Sequence, residues 1–388
     1  MGLFDWFRPK TDVRRLLAVC PGAHGVTLAL TERRPDGRAT VRWIERVALN
    51  AAPTSAGPSE NNAATDTTAM STEERRAAQD RRQGDRRRGD RRTGDRRTGD
   101  RRGDRGATAS GTEPAVVGEF DSIAPHLLKI VRQRDLRKVP CSGLLRSSDY
   151  SLILVDSPDV PPSEIRAAMR WQVKELIDFH IDDAVIDVFD VPERDGRAGK
   201  RMYAVVARRG KVMQLIDLLT SVGLELNIID IPEMALRNLA ARLPEDGAGV
   251  ALIAFDRGHG LMTVTRQGAL YFSRRLDCGS ERLAGAGSAG SITPTLEGLL
   301  DSLTIEIQRS LDFYERHFSQ SAIAGIVLTP VPGLTAEVCQ YLQAQLGVPT
   351  RWLDMATEAA VDGEMDSEEL LHCTPVIGAS LREDRVEF

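Results

Sequence analysis

The chain has 388 residues, is 41% apolar and 5% aromatic, and carries a net charge of −5 at neutral pH. That length exceeds what one hydrophobic core usually supports, so two domains are expected. Nothing approaches 18 consecutive apolar residues, and no membrane-spanning helix is expected. The stretch Met1–Phe7 is too short for a signal peptide and is broken by Asp5, while Trp6 stands where a myristoylation signal needs Ser or Thr. A cytoplasmic protein is therefore expected.

The five cysteines, Cys20, Cys141, Cys278, Cys339 and Cys373, are far apart, odd in number and without a CxxC pair. That spacing favours small buried hydrophobes over a disulfide framework or a zinc site. The charge is unevenly spread. Between Arg75 and Arg105 lie 14 Arg and 6 Asp, a local net of +8 that leaves −13 on the remainder. An acidic folded body with a basic segment attached is the expected plan.

In chain order, Leu16–Cys20, Val26–Leu30 and Val41–Ile44 read as three early strands joined by glycine-bearing turns. Residues 50–113 show no apolar periodicity and run into a five-residue repeat that begins Gly84-Asp85-Arg86-Arg87-Arg88. So few apolar side chains cannot offset the entropy of ordering a backbone, and a disordered Arg/Asp/Gly-rich insertion is predicted. A strand over Ser151–Val155 follows. Ile165, Met169, Val173, Leu176 and Ile177 then fall on one helical face. Further strands are expected at Val185–Phe189 and Met202–Ala207, then a helix with Val212, Leu215, Ile216 and Leu219 inward. Two later units share one plan, helix, glycine, strand, Asp: one runs through Gly223 to Asp230, the other through Gly347 to Asp354. Glycine after the last turn supplies a left-handed cap, and return by an apolar strand marks parallel α/β structure. Val250–Phe255 and Leu261–Thr265 open the second half with strands, as the first half opened.

Four stretches carry a family resemblance: Met169–Asp182, Val222–Leu236, Glu306–Tyr314 and Pro375–Leu381. Their order resembles the PilM family of actin-like pilus proteins, most closely its branch in the mannose-sensitive haemagglutinin (MSHA) pilus system. The resemblance implies an α/β, actin-like two-domain fold with ribonuclease H-type sheets. Domain I would take 1–49, 114–235 and 366–388, with a small inserted subdomain at about 163–208; domain II would take 236–365. It also implies a nucleotide cleft between the domains. The implied partner is the cytoplasmic N-terminus of a PilN-like inner-membrane protein.

Actin-like ATPases need two glycine-rich hairpins around the phosphates, each beside an acid that holds the Mg²⁺ shell. In PilM-like chains the first hairpin reads roughly Asp-Ile-Gly-Ser-Ser followed by Lys. Here the aligned stretch is Cys20-Pro21-Gly22-Ala23-His24-Gly25-Val26-Thr27, with the acid, the hydroxyls and the lysine all replaced. At the second hairpin, Ala254 aligns with the acid, ahead of Phe255-Asp256-Arg257-Gly258-His259-Gly260. A two-residue shift would let Asp256 substitute. The adenosine loop reads Thr329-Pro330-Val331-Pro332-Gly333. Gly22, Gly25, Asp256, Arg257, Gly258, Gly260 and Gly333 are thus the candidate remnants of an ATP and Mg²⁺ site without turnover; Arg257 could still meet a phosphate. His24 and His259 read as surface turn residues rather than metal ligands. Gly285-Ala286-Gly287-Ser288-Ala289-Gly290 fits GxGxxG but follows no strand, and reads as a flexible loop.

Trp171 and Phe179 are the candidate partner-binding aromatics, Trp171 lying about 160° around the helix from Val173. Three functions compete: a pilus-assembly scaffold with a degenerate nucleotide site, a divergent ATPase using Asp256, and a nucleic-acid binder through the Arg-rich run. That run has no interleaved aromatics and an Asp for every two or so Arg, so nucleic acid is not expected, whereas an anionic membrane surface suits it.

Overall fold

A computed structural model describes residues 15–22, 25–36, 38–49, 120–192, 200–287, 292–362 and 367–383. The insertion expected at 50–113, and His24 with it, lie outside the described residues.

Strands β1 (Arg15–Gly22), β2 (Gly25–Arg33) and β3 (Ala39–Ala48) form an antiparallel meander. Side chains alternate across β1, so Leu17 and Val19 enter one core while Ala18 enters another. Helix α1 (Ala124–Gln133) buries Leu127, Ile130 and Val131 and leads to β4 (Pro140–Leu144), parallel to β1. Next come β5 (Tyr150–Asp156), α2 (Ile165–Val173), β6 (Ala184–Val191) and β7 (Arg201–Arg208), whose strands form a separate antiparallel sheet in the order β5-β7-β6. Helix α3 (Arg209–Ser221) then returns as β8 (Glu225–Asp230), completing a mixed sheet ordered β3-β2-β1-β4-β8. After α4 (Pro232–Ala240), the second sheet repeats this plan. It uses β9 (Val250–Phe255), β10 (Gly260–Arg266), β11 (Ala269–Leu276), β12 (Gly325–Leu328) and β13 (Thr350–Trp352), in the order β11-β10-β9-β12-β13. Its helices are α5 (Ser280–Ala286), α6 (Pro294–Phe318), α7 (Ala336–Leu346) and α8 (Met355–Glu358). Helix α9 (Ser367–Ser380) ends the described chain.

Both helix-glycine-strand units form as their sequences suggested. Gly223 follows α3 at φ +86° and Gly347 caps α7 at φ +68°, a conformation that costs glycine nothing. Gly285 and Ala286 lie inside α5, so the loop expected from Gly285 onward begins later; Leu283 buried on that short helix holds it in place. The small sheet starts at Tyr150, not near residue 163, because β5 pairs along β7 from Tyr150 opposite Ala207 to Asp156 opposite Arg201. Tyr203 on β7 also donates its hydroxyl to the Tyr271 carbonyl of β11 at 3.1 Å, joining this sheet to the second half.

Helices α4 and α9 lie between the two large sheets: α9 covers β1, β2 and β3, and α4 covers β9, β10 and β11. The boundary expected at 235/236 falls inside α4, which belongs to both halves. The two helices nearly touch. A Cβ on Gly378 would sit 2.1 Å from the Ala235 carbonyl oxygen, and Asn238 Nδ2 donates to the Gly378 carbonyl at 3.1 Å. On the far side a strap crosses between the halves. Val41 N–H donates to the Ala360 carbonyl at 3.1 Å, Asp362 N–H returns to the Val41 carbonyl at 2.8 Å, and Arg42 pairs with Asp362. The end of α9 is fastened to the first sheet by Thr31 and Ser380 hydroxyls 2.7 Å apart, and by Arg382 on buried Asp230 at 3.0 Å.

Gly378→Ala would force α4 and α9 apart. Overpacking of this kind costs about 1–3 kcal/mol, against a helix-propensity gain of about 1. The expected outcome in urea denaturation is a lower midpoint at an unchanged slope.

Candidate functional site

The ends of β1 and β9 point into the groove between the two halves. At the first, β1 stops at Gly22 and β2 starts at Gly25, whose φ is +146°. A Cβ on Gly25 would lie 1.9 Å from the Val47 carbonyl oxygen, so glycine is required there by the approach of β3. At the second, Asp256 N–H donates to the His259 carbonyl at 2.8 Å and closes the turn, while Asp256 Oδ1 accepts from Arg257 N–H at 2.7 Å. The start of α5 is docked on this turn, Ser280 N–H donating to the Asp256 carbonyl at 2.8 Å and Glu281 N–H to the Arg257 carbonyl at 3.1 Å. Gly279 permits that docking, since its Cβ would meet Arg257 O at 2.3 Å. Gly258 has open space around it, and Gly260 pairs opposite Phe255.

Ala254 is buried against the layer of α4 and α9, the same cluster that Cys20 packs on. Asp256, the first residue after β9, is the groove acid, and its charge reaches Cys20 across the gap. On the β1 side the acid's place is held by Cys20. Burial first, and then the charge of Asp256, push that thiol up to about 12, so it stays protonated. A neutral thiol is a poor ligand for a hard cation that wants oxygen donors. The thiol stands within electrostatic reach of two carboxylates, Asp256 and Asp149, the latter paired with Arg146.

The third remnant sits beside them. Thr329 Oγ1 accepts from Phe255 N–H at 3.1 Å, Val331 is buried, and Gly333 adopts φ +82°. The threonine hydroxyl is thus engaged in tying β9 to this loop. Arg257 reaches toward Glu281 at 3.9 Å. Gly22 and Gly25 thus flank the β1–β2 turn, Asp256, Arg257, Gly258 and Gly260 lie at the β9–β10 turn, and Gly333 lies in the loop after β12.

Several groove residues carried no sequence motif. Tyr150, at the start of β5, donates its hydroxyl to the carboxyl of Glu233 in the first turn of α4. Both are buried; desolvation pushes the Glu233 carboxyl above the ordinary range, partly opposed by the Tyr150 hydrogen bond. Arg146 and Asp149 form a two-bond ion pair at 2.8 and 3.0 Å in the loop before β5. Arg275 Nη2 lies 3.1 Å from His259 Nδ1. A guanidinium can only donate, so Nδ1 is the acceptor and the ring proton sits on Nε2. Burial and then the Arg275 charge hold His259 below the usual imidazole range, consistent with a neutral ring. These residues come from separate stretches of the chain, and only the folded strand and helix ends bring them together.

The partner candidates separate. Trp171 is 76% exposed on α2, with the Lys174 ammonium 5.8 Å from its ring, while Met169 and Val173 on the same helix are fully buried. Phe179 packs at the edge of the small-sheet core, and the Arg208 guanidinium stacks 4.3 Å from its ring. Trp171 is free for contact, and Phe179 is partly committed to the core. The cysteines make no disulfide: Cys141, Cys278, Cys339 and Cys373 are buried and Cys20 is half-buried. Among the described residues no cluster of three or more His, Cys, Asp or Glu is arranged to hold a metal, and no helix is long and apolar enough to cross a membrane.

No family model and no curated protein matches the sequence. Among solved structures, the chain is similar to the PilM–PilN type IV pilus biogenesis complex, with a TM-score of 0.60 and 18% identity over 96% of this chain and 97% of that one. Weaker similarity is found to the cytoplasmic domain of EpsL, an inner-membrane component of the type II secretion system of Vibrio cholerae. There the TM-score is 0.42, with 11% identity over 93% and 94% of the two chains. A Bacteroides thetaiotaomicron protein with an actin-like ATPase fold gives 0.41 and 7%, over 96% and 100%. The fold is the α/β actin-like fold, built from two ribonuclease H-like mixed sheets.

Tyr150→Phe removes the donor to buried Glu233 and should destabilise by about 1–3 kcal/mol. The sign with pH follows from the raised folded pKa of Glu233: stability from this group is full at acid pH and falls as pH rises through that pKa. Because the hydroxyl favours the ionised form, the Tyr150→Phe penalty should be larger at mildly alkaline pH than at acid pH in paired denaturation curves.

Proposed function

We propose that this actin-like chain is a scaffold of PilM type in the inner-membrane assembly of a type IV pilus, acting at the cytoplasmic face without turning over ATP. The observation that carries the loss of turnover is Cys20, a protonated thiol opposite Asp256 where the fold needs a second acid. What supports the pilus assignment is the ordered set of motifs in the sequence, together with a PilM-like fold over nearly the whole chain. The finer reading is an MshI-like protein of the MSHA pilus system, and it rests on those motifs.

The partner would be the cytoplasmic N-terminal peptide of a PilN-like membrane protein; the similar PilM was solved as a complex with PilN. Trp171 is the anchor we assign to that contact, since a large exposed aromatic on a helix whose other face is fully buried offers apolar area at low entropic cost. Phe179 would contribute from the edge. The Arg/Asp-rich insertion would add attraction to anionic lipid, on the order of 1 kcal/mol per net positive charge near the surface.

One observation favours a second reading. Asp256 does occupy the groove, so a divergent ATPase that binds and slowly hydrolyses Mg²⁺-ATP would have one of its two acids. The two readings separate on hydrolysis. Scaffold function predicts no magnesium-dependent phosphate release above a buffer control; steady release that disappears in Asp256→Ala would favour the enzyme.

Partner binding separates from both. A peptide of the PilN-like N-terminus should bind the wild type and lose about tenfold or more in affinity with Trp171→Ala, with unchanged circular dichroism. Equal affinity in the variant would move the groove away from α2.

A further inference from the structure

Helix α1 carries its charge on one side. Leu127, Ile130 and Val131 are buried, while Lys129 and Arg132, three residues apart, share the exposed face. The turn into β4 adds Arg137 and Lys138, both exposed. Between Asp121 and Lys138 five cations stand with two carboxylates, a net of +3, in a chain whose residues outside the Arg-rich run carry −13. One of the five is committed: Arg134 pairs with Glu45 of β3 at 3.3 Å and lies 4.1 Å over the Trp43 ring. Among the described residues, the side chains of Lys129, Arg132, Arg137 and Lys138 have neither an ion pair nor a hydrogen bond.

Helix ends do not balance this charge. The carbonyl end of α1 lies beside Arg132, and that of α3 lies near Arg137, whose side chain would be 3.9 Å from a Cβ on Gly223. Each end supplies about half a negative charge, so the two offer roughly one against four cations. A second observation points the same way. Leu49, where the chain leaves β3, and Phe120, where it returns ahead of α1, both pack on the core that α1 covers. The stretch holding the +8 run is therefore tethered at both ends beside this patch. Like charges cannot serve each other, so an anionic surface broad enough to reach both gains from each.

We infer that the α1 patch is the surface by which the folded body lies against a bilayer rich in anionic phospholipid, with Lys129, Arg132, Arg137 and Lys138 meeting the headgroups. Cations near such a surface each add attraction that fades within a Debye length, and their long side chains reach headgroups without a fitted pocket. The Arg-rich run alone would tether the body in any orientation; the α1 patch turns one side of it to the bilayer. The choice of lipid over a nucleic-acid strand rests on the inner-membrane reading above, whereas the charge patch does not.

The test is co-sedimentation of the full chain with vesicles of phosphatidylcholine containing about 30% phosphatidylserine at about 0.1 M salt, with pure phosphatidylcholine as the blank. The wild type should bind the anionic vesicles. Lys129→Gln, Arg132→Gln, Arg137→Gln and Lys138→Gln together should weaken binding about tenfold or more. Arg34→Gln, Arg38→Gln, Arg309→Gln and Arg316→Gln, exposed elsewhere, make the same change in net charge and should weaken it less than about threefold. If the α1 variant does not fold, by circular dichroism, Lys129→Gln with Arg132→Gln against Arg309→Gln with Arg316→Gln gives the same comparison. No binding beyond pure phosphatidylcholine, equal affinity of the α1 variant and wild type, or equal weakening by the control set overturns the inference. Patch-dependent binding to a DNA duplex without binding to anionic vesicles overturns it as well. The PilN-like peptide, titrated in parallel, reports on the pilus reading separately: peptide binding without vesicle discrimination removes the patch alone, and vesicle discrimination without peptide binding leaves the patch standing.

Discussion

The crossing of α4 and α9 is the constraint on which the rest of the structure depends. Each large sheet covers one of these helices, and the helices meet where Gly378 leaves no room for a side chain against the Ala235 carbonyl. Had any other residue stood there, the two helices, and with them the sheets they cover, would have to sit farther apart. The groove is therefore a product of helix packing, and its chemistry is a matter of which side chains stand at two strand ends.

Cys20 at the end of β1 is a thiol held protonated by its burial and by the charge of Asp256. Other polar groups gather nearby in pairs, Tyr150 with Glu233 and His259 with Arg275. The small sheet is tied to the second half through Tyr203 and the Tyr271 carbonyl, a contact made wholly by the protein. Side-chain contacts of this kind hold the two halves in register whether or not a ligand lies between them.

Much of the fold was legible because its signals are local. The apolar runs of β1, β6, β7 and β9, and the glycines that stop α3 and α7, act within a few residues of themselves. Strand β4 was not legible. Its sequence, Pro140-Cys141-Ser142-Gly143-Leu144, has neither alternation nor β-branched residues. It is a central strand because Gly143 lets Leu219 of α3 close over it, a Cβ there falling 2.7 Å from the leucine Cδ1. The groove shows the same limit. The glycines of the two hairpins could be read along the chain, but the charge of Asp256 acting on Cys20 joins positions far apart in sequence. Glu233 and Tyr150 are 83 positions apart, and only the folded sheet ends bring them into contact.

The position of α9 has a consequence for how the molecule comes into being. The face of the first sheet that carries Ala18, Ala29, Val41 and Leu144 is covered by the last described helix. During synthesis that face has no lid until α9 has been made, long after its own strands have appeared. The second half, by contrast, has its entry through α4 and its exit through the strap at 360–362 close together, with Arg242 bridging Ala39 and Glu358 carbonyls. It can close as a unit while the first sheet still waits for α9, so a sheet made before the second half is completed after it.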